Sequence, residues 1–341
     1  MAKVLVTGGS GFIGAHVVKQ LLEAGHEVRT TIRNPAREAD VRTTLGVAGC
    51  PNLNHLSFAL ADLEQDAGWA EAASGCEFAH HVASPFPLGN PSDEQKLIRP
   101  AVEGTLRVLK AARDAGVRRT VVTSSFAAIG YGHPDRQAPF TEADWTNPDA
   151  PDSQAYIRSK YFAEKAAWDF MAREGGPMEL SVVNPVGVFG PALNADLSSS
   201  VGVVKSLLNG QMPAVPRLYF GVVDVRDVAD LHLRCMTDPA AKGERFLAVA
   251  GPVMSVHEVA QVLRARLGAR ASKVPPRETP DIVIRLAALF SKQARGVLPG
   301  LGRKRTMVAD KARKALGWSP RANEEAIVAS AESLFALGLV D

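Results

Sequence analysis

A chain of 341 residues with 46% hydrophobic residues and a formal net charge of +3 is long enough to bury a large core, as two domains or one elaborated one. So small a charge, with no dense basic stretch, argues against a nucleic-acid partner, and the short cluster Arg303-Lys304-Arg305 reads as a solvated loop. Cys50, Cys76 and Cys235 stand far apart without Cys-x-x-Cys spacing, so neither a disulfide framework nor a metal site is expected.

The first strand is expected at Lys3-Val-Leu-Val6, too short for a membrane span. No charged and apolar leader precedes it, and the apolar stretch 282–290 is interrupted by Arg285. The expectation is a cytoplasmic protein with no membrane partner. The chain then turns through Gly8, Gly9 and Gly11 into a helix whose apolar positions Ile13, Val17 and Leu21 recur every four residues. Gly25 follows that helix where a left-handed C-cap is expected. Residues 7–14 read TGGSGFIG. Glycines serve there for a tight turn, a close backbone approach to a pyrophosphate, and helix-strand contact at Gly14. The helix N-terminus adds unpaired N–H groups and partial positive charge. Gly8, Gly11, Phe12, Ile13 and Gly14 are therefore candidate dinucleotide-binding residues.

A second strand is expected over Glu27–Ile32. An acid at its end would bond the 2′-hydroxyl of NAD, whereas this chain has Arg33, with Arg37 four residues on. Guanidinium groups suit a 2′-phosphate, and NADP(H) is the expected cofactor. A third strand, Leu56–Leu60, ends at Asp62-Leu63, an adenine-edge contact or a helix cap. Strands follow at 77–83, 120–123 and 180–183, alternating with helices at 101–115 and 152–173. Such alternation predicts an α/β fold with a doubly wound parallel sheet, the Rossmann arrangement. Beyond Asn184-Pro185 the sequence is punctuated by proline, and a helix at 227–236 and a strand at 246–249 read as a return to the sheet. Ser255-Val-His-Glu258 is a capping box. Residues 1–185 with 223–250 are thus expected as the cofactor domain, and 186–222 with 251–341 as a smaller, α-rich substrate lobe.

Tyr156 and Lys160 fall on one face of a helix. A phenol with a pKa near 10 trades protons poorly at neutral pH, but a neighbouring ammonium and an oxidised nicotinamide both favour phenolate. Tyr156 would exchange a proton with a carbonyl oxygen while Lys160 also holds the nicotinamide ribose. A Tyr and a Lys four apart are common on any helix; the upstream glycine loop gives this pair its meaning. A third hydroxyl is expected after the preceding strand, where spacing leaves Ser124 and Ser125 open. His80 and His81 read as core residues without a chemical role. Walls of the substrate pocket are expected from Pro85, Phe86, Phe126 and Tyr131, mostly apolar, which favours a hydrophobic or aromatic carbonyl compound.

With these motifs in view the chain resembles the extended short-chain dehydrogenase/reductases. The branch is that of dihydroflavonol reductases, cinnamoyl-CoA reductases and microbial NADPH-dependent aldehyde and ketone reductases. HVASPF at His81 and NPVGVFGP at Asn184 separate that branch from sugar-nucleotide epimerases. RPAVEGTLRVLKAA at Arg99, VVTSSFAA at Val121 and VVDVRDVADLH at Val222 extend the likeness along the chain. The resemblance implies Ser125 as the catalytic serine, Pro185 and Val188 beside the nicotinamide, and Ala83 and Ser84 against the cofactor, with Thr123 a further candidate cofactor-binding residue. Plant dihydroflavonol reductases carry an asparagine five residues after that serine, where this chain has Gly130. A flavonoid substrate is therefore disfavoured and the microbial carbonyl reductases are the nearer pattern. The expected partners are a small carbonyl or alcohol substrate and, in assembly, a monomer or homodimer. The competing expectations are an epimerase, dehydratase or hydroxysteroid-type dehydrogenase, and an NADP-sensing protein without chemistry.

Overall fold

The computed structural model describes residues 1–85, 93–212 and 214–340, without the side chains of residues 292 and 293. In strand β1 (Lys3–Thr7), Val4 and Val6 are buried in one apolar cluster and Leu5 in another. A strand buried on both faces belongs to a parallel sheet covered by helices. It leads to α1 (Phe12–Glu23), β2 (Glu27–Ile32), α2 (Arg37–Val47), β3 (Leu56–Leu60), α3 (Trp69–Ala73) and β4 (Phe78–His81). Next come α4 (Gln95–Asp114), β5 (Arg119–Thr123), α5 (Ala155–Glu174), β6 (Glu179–Pro185), β7 (Gly187–Phe189) and α6 (Ser199–Leu208). Short strands β8 (Tyr219–Phe220) and β9 (Val222–Asp224) precede α7 (Val225–Thr237), β10 (Arg245–Ala248) and β11 (Met254–Ser255). The chain ends in helices α8 (Val256–Leu267), α9 (Asp281–Ala287), α10 (Lys292–Val297), α11 (Asp310–Leu316) and α12 (Asn323–Ala336).

Among the described residues, seven strands form one sheet in the order β10-β6-β5-β4-β1-β2-β3. All its pairs are parallel. Chain order reverses between β1 and β4, the switch point beyond which open α/β sheets bind their ligands. Helix α1 packs on α7, and α4 packs on α5. Val17, Val18 and Leu21 of α1 join the cluster of Val4 and Val6, while Leu109, Ala167 and Phe170 join that of Leu5. A separate cluster built from Val204, Leu207, Leu263, Ile327 and Leu334 packs α6, α8 and α12 together. The capping box at its entry is present: Glu258 N donates to Ser255 Oγ at 3.0 Å, and Ser255 N to Glu258 Oε2 at 2.6 Å. No helix among the described residues is long and apolar enough to cross a membrane.

Three boundaries differ from the sequence expectation. Helix α4 starts at Gln95 and runs through Pro100. A proline costs one intrahelical bond, while Leu97, Ile98 and Ala101 keep this turn on the core. Strand β4 stops at His81, two residues early, because the amides of Val82 and Ala83 turn to Thr7 Oγ1 at 3.1 and 3.0 Å. The segment 307–318 belongs with the sheet and not the lobe. Its Met307, Ala312, Leu316 and Trp318 enter the cluster of Val4, and Trp318 Nε1 donates to Asp227 O at 2.9 Å.

Candidate active site

The C-terminal ends of the sheet strands open onto a cavity of about 1200 Å³ whose other wall comes from the lobe. Gly8, Gly11, Phe12, Ile13 and Gly14 line it. Gly8 has φ +72°, and a Cβ there would lie 2.9 Å from Ala83 Cα. A Cβ on Gly14 would overlap Gly8 O, so loop and helix meet backbone to backbone. The side chains of Thr31 and Thr30 accept from the amides of Gly8 and Gly9 at 3.3 and 3.1 Å, holding the loop to β2. Helix α1 begins at Gly11 with no side-chain cap and no acid in its first turn, which leaves amides for an anion. These residues fit the pyrophosphate of a dinucleotide.

Arg33, Asp62 and Leu63 line the same cavity where β2 and β3 end. Arg33 is exposed there. Arg37 is absent from the lining, and its Nη2 donates to Asp196 of the facing segment at 2.7 Å. Of the two arginines expected to meet a 2′-phosphate, Arg33 thus lines the cavity and Arg37 is engaged by a carboxylate beside it. Asp62 also serves as a local cap, accepting from Glu64 N at 3.0 Å.

Ala83 and Ser84 line the cavity beside the glycine loop, and His81 is the pivot that places them. Thr105 donates its hydroxyl proton to Ala101 O at 2.8 Å, leaving its oxygen to accept from His81 Nε2 at 3.2 Å. His81 Nδ1 then accepts from Thr7 Oγ1 at 2.9 Å, and Thr7 in turn accepts from Val82 N and Ala83 N. The sequence reading assigned His81 no part; its signal, a histidine ending an apolar strand, does not distinguish packing from this organising role. Burial pushes the His81 imidazole down to about 3, with repulsion from Lys160 adding to it.

Thr123, Ser124, Ser125, Tyr156 and Lys160 converge at the ends of β5 and α5. The two serines, equivalent by spacing, are separated by geometry. Ser124 Oγ turns away and donates to Glu164 Oε2 at 2.5 Å. Ser125 stays on the cavity side, where it favours the charged form of Tyr156, and its Oγ accepts from Ala127 N at 3.1 Å. Thr123 Oγ1 meets His232 Nε2 at 3.0 Å beneath them. Burial pushes the Tyr156 phenol above its ordinary value, opposed by Ser125. Burial also brings the Lys160 ammonium down to about 8, opposed by the Glu164 carboxylate. The phenol is therefore shifted opposite to the lowering expected from its lysine and an oxidised nicotinamide. The same desolvation penalises both charged forms, phenolate and ammonium.

Pro185, Val188, Pro85, Phe126 and Tyr131 line the cavity as well. Phe86 lies outside the described residues. The rings of Phe126 and Tyr131 are 5.9 Å apart, and a Cβ on Gly130 would overlap the Phe126 ring. The position of the flavonoid-binding asparagine is thus closed by an aromatic side chain. Tyr219, Phe220, Arg305 and Met307 also line the cavity and were missed from the sequence. The triplet at Arg303 carried the signal but reads as solvent-facing without knowledge of Asp152, whose Oδ2 holds both Arg303 and Arg305.

Residues 4–249 match the model of the NAD dependent epimerase/dehydratase family. The chain belongs to that family. It is 38% identical over 265 residues to cinnamoyl-CoA reductase 1 of Oryza sativa subsp. japonica, covering 76% of this chain and 75% of the relative. It is 33% identical over 271 residues to dihydroflavonol 4-reductase of Zea mays, covering 77% and 74%. Its structure superposes on the yeast methylglyoxal/isovaleraldehyde reductase Gre2 complexed with NADPH with a TM-score of 0.80. That likeness has 27% identity and covers 99% of this chain and 100% of the other. The family member therefore stands in the dihydroflavonol reductase-like branch of the extended short-chain dehydrogenase/reductases.

Proposed function

We propose that this protein is an NADPH-dependent reductase. It converts the carbonyl group of an aldehyde or ketone bearing an apolar or aromatic substituent into an alcohol, using Ser125, Tyr156 and Lys160. The observation that carries the reading is that Ser125, Tyr156 and Lys160 line the same cavity as the glycine loop. The reductase names and the NADPH of the similar proteins support it. Gly8, Gly11, Phe12, Ile13 and Gly14 would cradle the dinucleotide, flanked by Asp62, Leu63, Ala83 and Ser84. Arg33 would meet the 2′-phosphate; Thr123, Pro185 and Val188 would border the nicotinamide. NADPH, when bound, supplies the hydride.

Ser125 and Tyr156 hold the carbonyl oxygen, and Tyr156 donates its phenolic proton to it. Burial pushes that phenol up, so it enters the step protonated and needs a neighbouring positive charge to release its proton. Lys160, one helical turn on, offsets the negative charge left on Tyr156 and would bond the ribose. A positioned general acid of this kind contributes about 10²–10⁴-fold in rate. The test is a panel of aldehydes and ketones followed by NADPH absorbance, with NADH in parallel and a nucleotide sugar as competitor. NADPH consumption with aryl aldehydes is expected. Tight displacement by the nucleotide sugar, with no carbonyl reduced, would overturn the reading in favour of an epimerase.

A further inference from the structure

The basic triplet at Arg303 borders the catalytic end of the cavity and leaves it electrostatically lopsided. Phe140 N donates to Thr306 O at 2.8 Å, and Phe140 bridges to Met307, which ties this segment to the chain following Ser125. The Arg305 side chain is 17% exposed, and its guanidinium carbon lies 4.5 Å from the centre of the Tyr131 ring. Asp152 Oδ2 accepts from Arg305 Nη2 at 2.9 Å and from Arg303 Nη1 at 2.6 Å. One carboxylate thus faces two guanidiniums, leaving a positive charge in excess. Lys304 Nζ lies 5.8 Å from the centre of the Tyr219 ring, which is also part of the lining.

The charged residues of the lining divide by position. Arg33, Asp62, Glu64 and Asp196 cluster where β2 and β3 end and where Arg37 meets Asp196. Lys160 and Arg305 stand at the other end, with no carboxylate among the described residues that line it there. A half-buried guanidinium that shares its one carboxylate with a second cation has donors to spare, and its planar fork matches a further carboxylate.

We propose that the carbonyl substrate carries an acidic group, a carboxylate, and that Arg305 receives it across the Tyr131 ring while Tyr156 and Ser125 hold the carbonyl. The proposal rests on the carbonyl-reductase reading above and narrows its substrate class. The body of the substrate still lies against Phe126, Val186 and Phe220. Arg305 is thereby the residue that selects acids over neutral compounds of the same shape.

The experiment compares para-formylbenzoate with para-tolualdehyde, aldehydes of similar size that differ in charge, in wild type, Arg305→Gln and Arg305→Lys. Wild type is expected to favour the formylbenzoate in kcat/KM, chiefly through KM. Arg305→Gln should lower that ratio about 10–150-fold, the worth of one charge-assisted hydrogen bond, and Arg305→Lys should keep part of it. Competition by benzoate against benzamide in the wild type reads the same preference without relying on a variant that folds. Equal efficiency with both aldehydes, or a ratio unmoved in Arg305→Gln, overturns the acid preference while leaving the reductase reading intact. Reduction of neither aldehyde overturns both.

Discussion

Glu164 Oε1, on the same helix as Tyr156 and Lys160, lies 2.8 Å from Arg245 Nε, and both side chains are buried. The carboxylate also accepts from Ser124 Oγ at 2.5 Å and Asn184 Nδ2 at 2.7 Å. Asn184 Nδ2 reaches on to Ser125 O at 3.2 Å, while the Arg245 guanidinium lies 3.7 Å from the centre of the Trp145 ring. One buried acid therefore positions the serine backbone and lies one turn from the lysine.

Replacing Glu164 with Gln should move the alkaline limb of kcat/KM to lower pH. Burial lowers the Lys160 ammonium to about 8 against the opposing pull of Glu164, so removing that charge lets the ammonium deprotonate sooner. The variant also strands Arg245, at a cost of about 3–5 kcal/mol in stability. The double change Glu164→Leu with Arg245→Met should recover part of the stability and still show the shifted limb. An unmoved limb in both would reduce Glu164 to a packing role.

Much of this arrangement is legible in the sequence because it is local. The glycine loop, the strands Glu27–Ile32 and Leu56–Leu60, the Tyr156–Lys160 spacing and the Ser255 capping box each depend on neighbours within one turn or one strand. What escaped depends on partners distant in the chain. Arg37 resembles Arg33 until Asp196 is brought to it, and the Arg303 triplet looks solvated until Asp152 is placed beside it. Ser124 and Ser125 are equivalent by spacing and differ once Glu164 and Tyr156 take one each. Pro100 hid the first turn of α4 because proline signals a helix start more often than an interior.

Arg33→Ala should weaken NADPH by roughly 10–150-fold with little effect on NADH, the loss of one charge-assisted bond of about 1.5–3 kcal/mol. Arg37→Ala should weaken NADPH less, since its guanidinium is engaged by Asp196. Titrating both coenzymes against both variants by fluorescence decides it. Equal losses for NADPH and NADH in Arg33→Ala would remove Arg33 from the 2′-phosphate.

Acid should destabilise this protein through its buried histidines. His80 and His232 face each other with Nδ1 atoms 3.4 Å apart. Burial brings His232 and His81 down to about 3, and burial with repulsion from His232 holds His80 well below its ordinary value. The unfolded chain binds these protons more readily, so their contribution is fully present above pH 6.5 and is lost as pH falls toward 3. Melting temperature measured from neutral pH downward should fall steeply below that point, and less steeply in His80→Leu. Parallel profiles would show that other groups govern acid unfolding.

Single-turnover hydride transfer in Tyr156→Phe, measured beside NADPH affinity, tests the central claim most directly. The substitution removes the phenolic hydroxyl from the cavity and leaves the ring and the glycine loop in place. The account predicts nearly unchanged NADPH binding with transfer to an aldehyde slowed by about 10²–10⁴-fold. Transfer at near wild-type rate would contradict it, because Tyr156 would then not be the proton donor.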